Sequence, residues 1–285
     1  IERRDGMNII INHDGLLAEV PADGHDTIPH FLKSSIVTPD DWKRCKEERF
    51  LRDDPARIPD IEALKAAHPA DRDYPLGVWC GSMIGRIRDM LTFEGLAYAV
   101  YDYPDMVEDM VETCCVLVED FLDRVLPHFD FDFASGWEDI CFKNGPLVIP
   151  SVFEEYVGPH YKKITSLLNQ YGIDIVSVDC DGWIDHLIPT WVENGVNTMF
   201  PIEVGTWNAS IAPWREKYGR QIRGVGGMNK TLFARDYKAI DAEVERLRGL
   251  IGLGGYIPCP DHRIAPDAKF ENVQYCCDKM QNLRL

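Results

Sequence analysis

Five short stretches of this chain carry side chains able to move protons or hold a cation. They are Trp137-Glu138-Asp139, Asp179-Cys180-Asp181-Gly182, Pro201-Ile202-Glu203, Gly226-Gly227-Met228-Asn229 and Pro258-Cys259-Pro260-Asp261-His262. Each closes an apolar, β-rich run and is followed by a helix-like stretch. Asp179 and Asp181 lie two apart, so on a continuing strand they share one face. Two carboxylates that close raise the pKa of one of them, unless a cation or metal sits between them. The alternative for Asp181 is a helix cap, a common place for Asp. Glu203 suits a ligand or a hydrogen-bond acceptor. Glu138 and Asp139 beside Trp137, with Lys143 nearby, suit a substrate contact or a salt-bridged rim. Asp89, after Arg86 and Arg88, suits a substrate contact or a loop ion pair. Met228 and Asn229 complete the set of candidate substrate contacts with Trp137, Glu138, Asp139 and Asp89.

His262 stands between prolines, Pro260 and Pro266, in a stiff loop. A His there is an acid/base, a metal ligand or a surface residue. We expect its ring to face the pocket, with at least one carboxylate of Asp179, Asp181 and Glu203 within ~6 Å, close enough to influence its charge. Asp179, Asp181, Glu203 and His262 are therefore the candidate catalytic residues. The same four, from different strands, suit an oxygen/nitrogen metal site, zinc included. They suit acid/base chemistry without a metal equally well.

The elements that must position these residues follow from the hydrophobic pattern. Strands are expected at 76–80, 131–135, 174–178, 197–200, 222–225 and 256–258, with helices at 104–126, 150–171, 184–193, 209–218, 232–253 and 267–280. Val107, Met110, Val111, Cys114, Leu117, Val118, Phe121, Leu122 and Val125 repeat at the three/four spacing of one helix face. Polar groups at the carboxyl ends of successive parallel strands meet on one face of a (β/α) barrel. The fold expected is α/β, a (β/α)8 TIM-type barrel. Six strands are legible and eight close such a barrel. The chain begins at Ile1, so the missing strands are expected upstream of it. A doubly wound sheet is the rival, but 224–227 lacks the G-x-G-x-x-G spacing of its phosphate turn.

Residues 1–36 read as a β-hairpin excursion, with turns at Arg4-Asp5-Gly6 and His13-Asp14-Gly15. Thr38-Pro39-Asp40-Asp41 reads as a helix start, Thr38 being the N-cap. We expect one domain over 1–285, with the excursion and a loop in 1–75 and the barrel units in 76–285.

The 285 residues carry 47 acids against 30 Lys and Arg, a formal charge of -17. That balance disfavours a nucleic-acid surface and polyanionic substrates. No apolar run reaches the ~18 residues that span a bilayer. The nine Cys are odd in number and include no C-x-x-C pair, which reads as reduced thiols in a cytoplasmic protein.

From Leu76 onward the chain resembles the uroporphyrinogen decarboxylase superfamily. The resemblance rests on Gly77-Val78-Trp79-Cys80-Gly81-Ser82, on 143–150 (KNGPLVIP), on Asp179-Cys180-Asp181-Gly182, on Gly226-Gly227-Met228-Asn229-Lys230, and on 255–266 with Glu271-Asn272-Val273. It implies a barrel with its pocket at the strand carboxyl ends. It also implies one of two activities, decarboxylation of a tetrapyrrole or smaller acid (a lyase), or corrinoid-dependent methyl transfer. Asp181-Gly182 matches the decarboxylases' Asp-Gly, and His262 their late His. The zinc methyltransferases carry His-x-Cys and a later Cys where this chain has Asp179, Asp181 and His262. The decarboxylases' N-terminal Arg motif is absent, and their substrate-facing Tyr is replaced by Asp89.

The resemblance therefore implies a methyltransferase acting on a small methylated donor, with a corrinoid (cobalamin) as methyl acceptor or donor. A corrinoid protein is the implied partner; separately, a homodimer is the assembly we expect. A decarboxylase without cofactor is the alternative, and a non-catalytic ligand-binding barrel the second alternative.

Overall fold

The structure, a computed structural model, describes residues 2–25 and 29–284. The N-terminal region is more elaborate than the expected hairpin. Four strands, β1 (Glu2–Arg4), β2 (Met7–Ile11), β3 (Leu17–Pro21) and β4 (His30–Lys33), form an antiparallel sheet in chain order. Only a little of it reaches the core, chiefly Leu16 and Ala18. Ser34 then anchors the chain by donating to Met90 O at 2.8 Å.

Helix α1 (Pro39–Arg49) starts as its residues dictate. The Thr38 side chain accepts from the Asp41 amide, the Asp41 side chain accepts from the Thr38 amide, and Pro39 opens the first turn, a reciprocal capping box. Trp42 Nε1 donates to Asp109 Oδ2 at 2.6 Å, which fixes α1 to a long helix of the main layer. A short helix α2 (Ile61–Ala67) follows.

The main sheet contains six parallel strands: β5 (Gly77–Trp79), β6 (Phe133–Trp137), β9 (Val176–Asp179), β10 (Thr198–Ile202), β11 (Arg223–Met228) and β12 (Tyr256–Pro260). Their spatial order, β5-β6-β9-β10-β11-β12, is their order in the chain. A doubly wound sheet reverses direction at a switch point. This sheet never does, so the winding is that of a TIM-type barrel. Between β5 and β6 lie α3 (Ile84–Leu91), α4 (Phe93–Asp102) and α5 (Pro104–Val125). Between β6 and β9 lie a two-residue ribbon, β7 (Cys141–Phe142) with β8 (Gly145–Pro146), and α6 (Pro150–Gln170). Then come α7 (Ile188–Glu193), α8 (Val204–Trp207) with α9 (Ile211–Tyr218), α10 (Tyr237–Ile251) and α11 (Phe270–Gln281), in the gaps that follow β9, β10, β11 and β12.

The periodicity placed α5 within a residue of its bounds, because its apolar face packs as one continuous stripe. Helices α3 and α4 meet at Thr92, at a φ of 70°, and left no separate signal because no Gly or Pro stands at that junction. The expected helix at 184–193 begins only at Ile188. The backbone after β9 turns through Gly182, at φ +90°, where a side chain would strike the Cys141 carbonyl. Asp181 is consequently no helix cap. All nine cysteines are free. Among the described residues no helix is long and apolar enough to cross a membrane.

Candidate active site

The carboxyl ends of β6, β9 and β12 bring an acidic cluster and one imidazole together. Trp137 and Asp179 are register partners on β6 and β9. The ladder continues past the strands: the Glu138 amide donates to Asp179 O at 2.8 Å, and the Cys180 amide to Phe200 O at 2.7 Å. Beyond β12 the Asp261 amide donates to Met228 O at 2.8 Å. The turns that carry Asp139, Asp181 and His262 therefore extend the hydrogen-bond ladder of the sheet.

His262 Nε2 lies 3.4 Å from Asp181 Oδ2, with both side chains a little over one-third exposed. Its other nitrogen, Nδ1, accepts from the Arg263 amide at 2.8 Å. An acceptor nitrogen carries no proton, so this bond puts the imidazole proton on Nε2, facing Asp181.

Asp179 and Asp181 both titrate late. Burial pushes Asp179 up to about 6, the neighbouring Asp181 and Asp139 charges add to the shift, and His262 opposes it. Asp181 is raised by burial, then by the charges of Glu203 and Asp139, against His262. This is the like-charge arrangement that keeps a carboxylic proton near neutral pH.

Arg88 of α3 is a site residue the sequence reading did not select. Its Nη1 donates to Asp139 O at 2.7 Å and reaches Asp139 Oδ2 at 3.3 Å, while Nη2 donates to Asp89 Oδ1 at 3.0 Å. Its guanidinium lies 5.1 Å from the centre of the Trp137 ring, a cation–π contact. Asp89 and Trp137 thus join the acidic cluster through Arg88. Burial raises the Asp89 carboxyl, and Arg88 works against that. The only sequence signal for Arg88 was its position beside Asp89.

Four expected site residues have other duties. Glu138, expected as a substrate contact, is fully buried. It accepts from the Met83 amide at 3.0 Å, from the Gly85 amide at 2.6 Å and from the Tyr161 hydroxyl. It holds the first turn of α3 and α6 to the end of β6. Gly85 is required there, because a Cβ would lie 2.1 Å from Glu138 O. Glu203 is buried, and accepts from the Gly182 amide at 2.5 Å and from Thr206 Oγ1 at 2.9 Å. It fixes the Asp181-Gly182 turn instead of presenting a free carboxylate. Met228 packs inward, its sulfur 3.8 Å from Cys276 Sγ, because the last residue of β11 faces α11. The Asn229 side chain accepts from the Thr231 amide at 3.0 Å and is spent on a local cap.

Asp261 was passed over in favour of its neighbour His262. It is buried, and ties the Gly205 amide at 2.7 Å to the Lys230 amide at 3.1 Å. Beyond Gly182, Trp183, Trp207 and Trp214 form a file with ring centres 6.3 and 6.2 Å apart. Asp185 holds its two ends, accepting from Trp183 Nε1 and Trp214 Nε1.

Among the described residues, no three His, Cys, Asp or Glu side chains gather closely enough to hold a metal ion. The expected four-residue ligand set of Asp179, Asp181, Glu203 and His262 is corrected to one close pair, Asp181 with His262. Zinc does not fit these residues as they stand, because Glu203 is committed to Gly182 and Thr206. What the arrangement does offer is a proton donor and acceptor pair beside a second, late-titrating carboxyl.

The family model for uroporphyrinogen decarboxylase (URO-D) matches residues 18–283. No curated protein matches the chain in sequence. Among solved structures, a methyltransferase from Methanosarcina mazei is similar, with a TM-score of 0.61 and 15% sequence identity. The match covers 90% of this chain and 72% of that one. At that identity the likeness is one of fold. The chain belongs to the uroporphyrinogen decarboxylase family.

Proposed function

We propose that this member of the uroporphyrinogen decarboxylase family is an enzyme that removes a methyl group from a small methylated donor and passes it to a corrinoid. The observation that carries the reading is the proton on His262 Nε2, aimed at Asp181 and set beside an Asp179 that titrates at about 6. Demethylation breaks a carbon–heteroatom bond. The electron pair of that bond stays on the heteroatom, which then needs a proton. A carboxyl that keeps its proton near neutral pH supplies it, and general acid catalysis of this kind contributes on the order of 10²–10⁴ in rate. The corrinoid enters as the second substrate, whose cobalt supplies the electron pair that bonds to the methyl carbon.

The local charge supports a neutral or cationic donor. Asp139, Asp179 and Asp181 crowd the site, the nearby guanidinium of Arg88 is already engaged with carboxylates, and the Nε2–H of His262 faces Asp181. A polycarboxylate substrate would meet repulsion from all three acids. Decarboxylation of such a substrate therefore fits this mouth poorly.

The test is incubation of methoxy and methylamine donors with cob(I)alamin and the protein, read by the visible spectrum of methylcobalamin. We expect turnover that declines as pH rises through about 6, where Asp179 loses its proton, and a fall of about 10² or more in His262→Ala. Absence of methylcobalamin with every donor, or CO2 release from a carboxylic substrate instead, would move the assignment to the decarboxylase side of the family.

A further inference from the structure

The acidic mouth lies on one side of α3, and a cavity of opposite sign lies on the other. Its volume is about 260 Å³. Three arginines, Arg49, Arg57 and Arg86, line it, and Asp14 is its only acidic lining residue. Asp14 is buried and pairs with Arg86 Nη1, so that ion pair is internally compensated. The hydrogen bonds of Arg49 and Arg57 go to carbonyl oxygens: Arg49 Nη2 donates to His13 O at 2.5 Å, and Arg57 Nη2 to Arg49 O at 2.7 Å. A carbonyl orients a guanidinium without cancelling its charge, and a guanidinium has five N–H donors. Both arginines therefore keep donors to spend on a ligand.

The arginines line the same cavity as two cysteines, Cys45 and Cys114. Burial pushes the Cys45 thiol up, while Arg49 and then Arg86 pull it down. Burial pushes the Cys114 thiol up to about 12, against Arg86 and Arg57. Each arginine thus acts on a thiol of the same cavity wall. Most of the rest of the wall is apolar, with Phe50, Trp79, Leu117 and Val118, and Ser82 adds a hydroxyl.

We infer that this cavity binds a small organic monoanion, a carboxylate carried on a short apolar body. Arginine presents paired N–H donors that match the two oxygens of a carboxylate. The apolar wall gives the body of the ligand a surface to leave water for. About 260 Å³ is below the usual range for a drug-sized ligand and suits a molecule of a few carbons. Inorganic phosphate has no apolar part to bury, and as a dianion it meets Asp14 more severely. This site is independent of the methyl-transfer reading, since none of its residues belongs to the acidic mouth.

Butyrate is the probe, titrated calorimetrically into the protein, with butanol, butylammonium and inorganic phosphate as comparisons. Butyrate is expected to bind saturably and to raise Tm, with each comparison compound at least about tenfold weaker, the scale of one charge-assisted hydrogen bond. Arg57→Gln should weaken butyrate by about tenfold. Leu117→Glu, which adds a negative charge on the apolar wall, should abolish binding. Arg88→Gln, on the other side of α3, should leave it unchanged. Phosphate binding as tightly as butyrate would overturn the proposal. So would an absence of saturable binding, or binding unchanged in both folded variants, Arg57→Gln and Leu117→Glu. Loss of binding in Arg88→Gln would instead place the anion at the mouth, and would equally overturn it.

Discussion

Arg86 and Arg88 stand two residues apart on α3 and serve opposite surroundings. Arg88 reaches Asp139, Asp89 and the Trp137 ring. Arg86 pairs with Asp14 at the arginine-lined cavity. Two residues turn a helix by about 200°, so their side chains leave on opposite sides. The difference teaches that a formal charge of -17 describes the whole surface and not the field at a site. Within one short helix the molecule separates an acidic, late-titrating mouth from a basic, half-apolar cavity. Both depend on where α3 sits, and the buried Glu138 sets that.

Breaking that shared support should have the largest effect. Glu138→Ala leaves the Met83 and Gly85 amides and the Tyr161 hydroxyl without their acceptor. Removing one member of such a buried network costs about 3–5 kcal/mol. We expect denaturant midpoints to drop accordingly, with methyl transfer and butyrate binding impaired together. An unchanged midpoint would mean that α3 is held by something else.

The next change touches one side only. Asp181→Asn removes the carboxylate facing His262 Nε2. A loss of at least about 10² in turnover is expected, with stability within about 0.5 kcal/mol of the wild type, because the side chain is over one-third exposed. Butyrate affinity, measured alongside, should not move. A parallel fall in both would erase the distinction between the two regions.

Arg88→Gln should cost less. It gives up ion pairs with Asp89 and Asp139 and the stack on Trp137, together about 1 kcal/mol for partly exposed groups. Urea unfolding with intact m-value would show it. A cost near zero would make Arg88 an ornament of the mouth and not its organiser.

The smallest effect has a distinctive sign. Burial pushes the Asp179 carboxyl up to about 6 against an ordinary value of 3.8. The folded state therefore binds this proton more tightly than the unfolded chain. Its stabilising contribution is complete below the unfolded value and is lost as pH rises through the folded one. Asp179→Asn should remove that loss, gaining about 1 kcal/mol at pH 7 after allowance for solvent screening, with little gain at pH 4. A variant equally destabilised at both values would show that Asp179 is not strained by its neighbours.

Much of this was written in local sequence. The six strands, their helices and the Thr38 cap rest on hydrophobic period and turn chemistry, which act over a few residues. The Asp179–Asp181 pair and the His262 loop were visible for the same reason, as polar groups at the ends of apolar runs. The separate helices α3 and α4 were not visible, because Thr92 joins two apolar stretches without a Gly or Pro to mark the break. Which acids face a ligand was decided by the tertiary structure alone. Glu138 and Asp139 are adjacent, yet one is sealed against Tyr161 and the other meets Arg88. Glu203 carries the same group as Asp181, yet it is spent on the Gly182 amide. A carboxylate's role depends on which donors the fold brings within about 3 Å, and those donors lie tens of residues away in the chain. The basic cavity has the same origin. Arg49, Arg57 and Arg86 become one site only when α1, the loop after it and α3 close around Trp79.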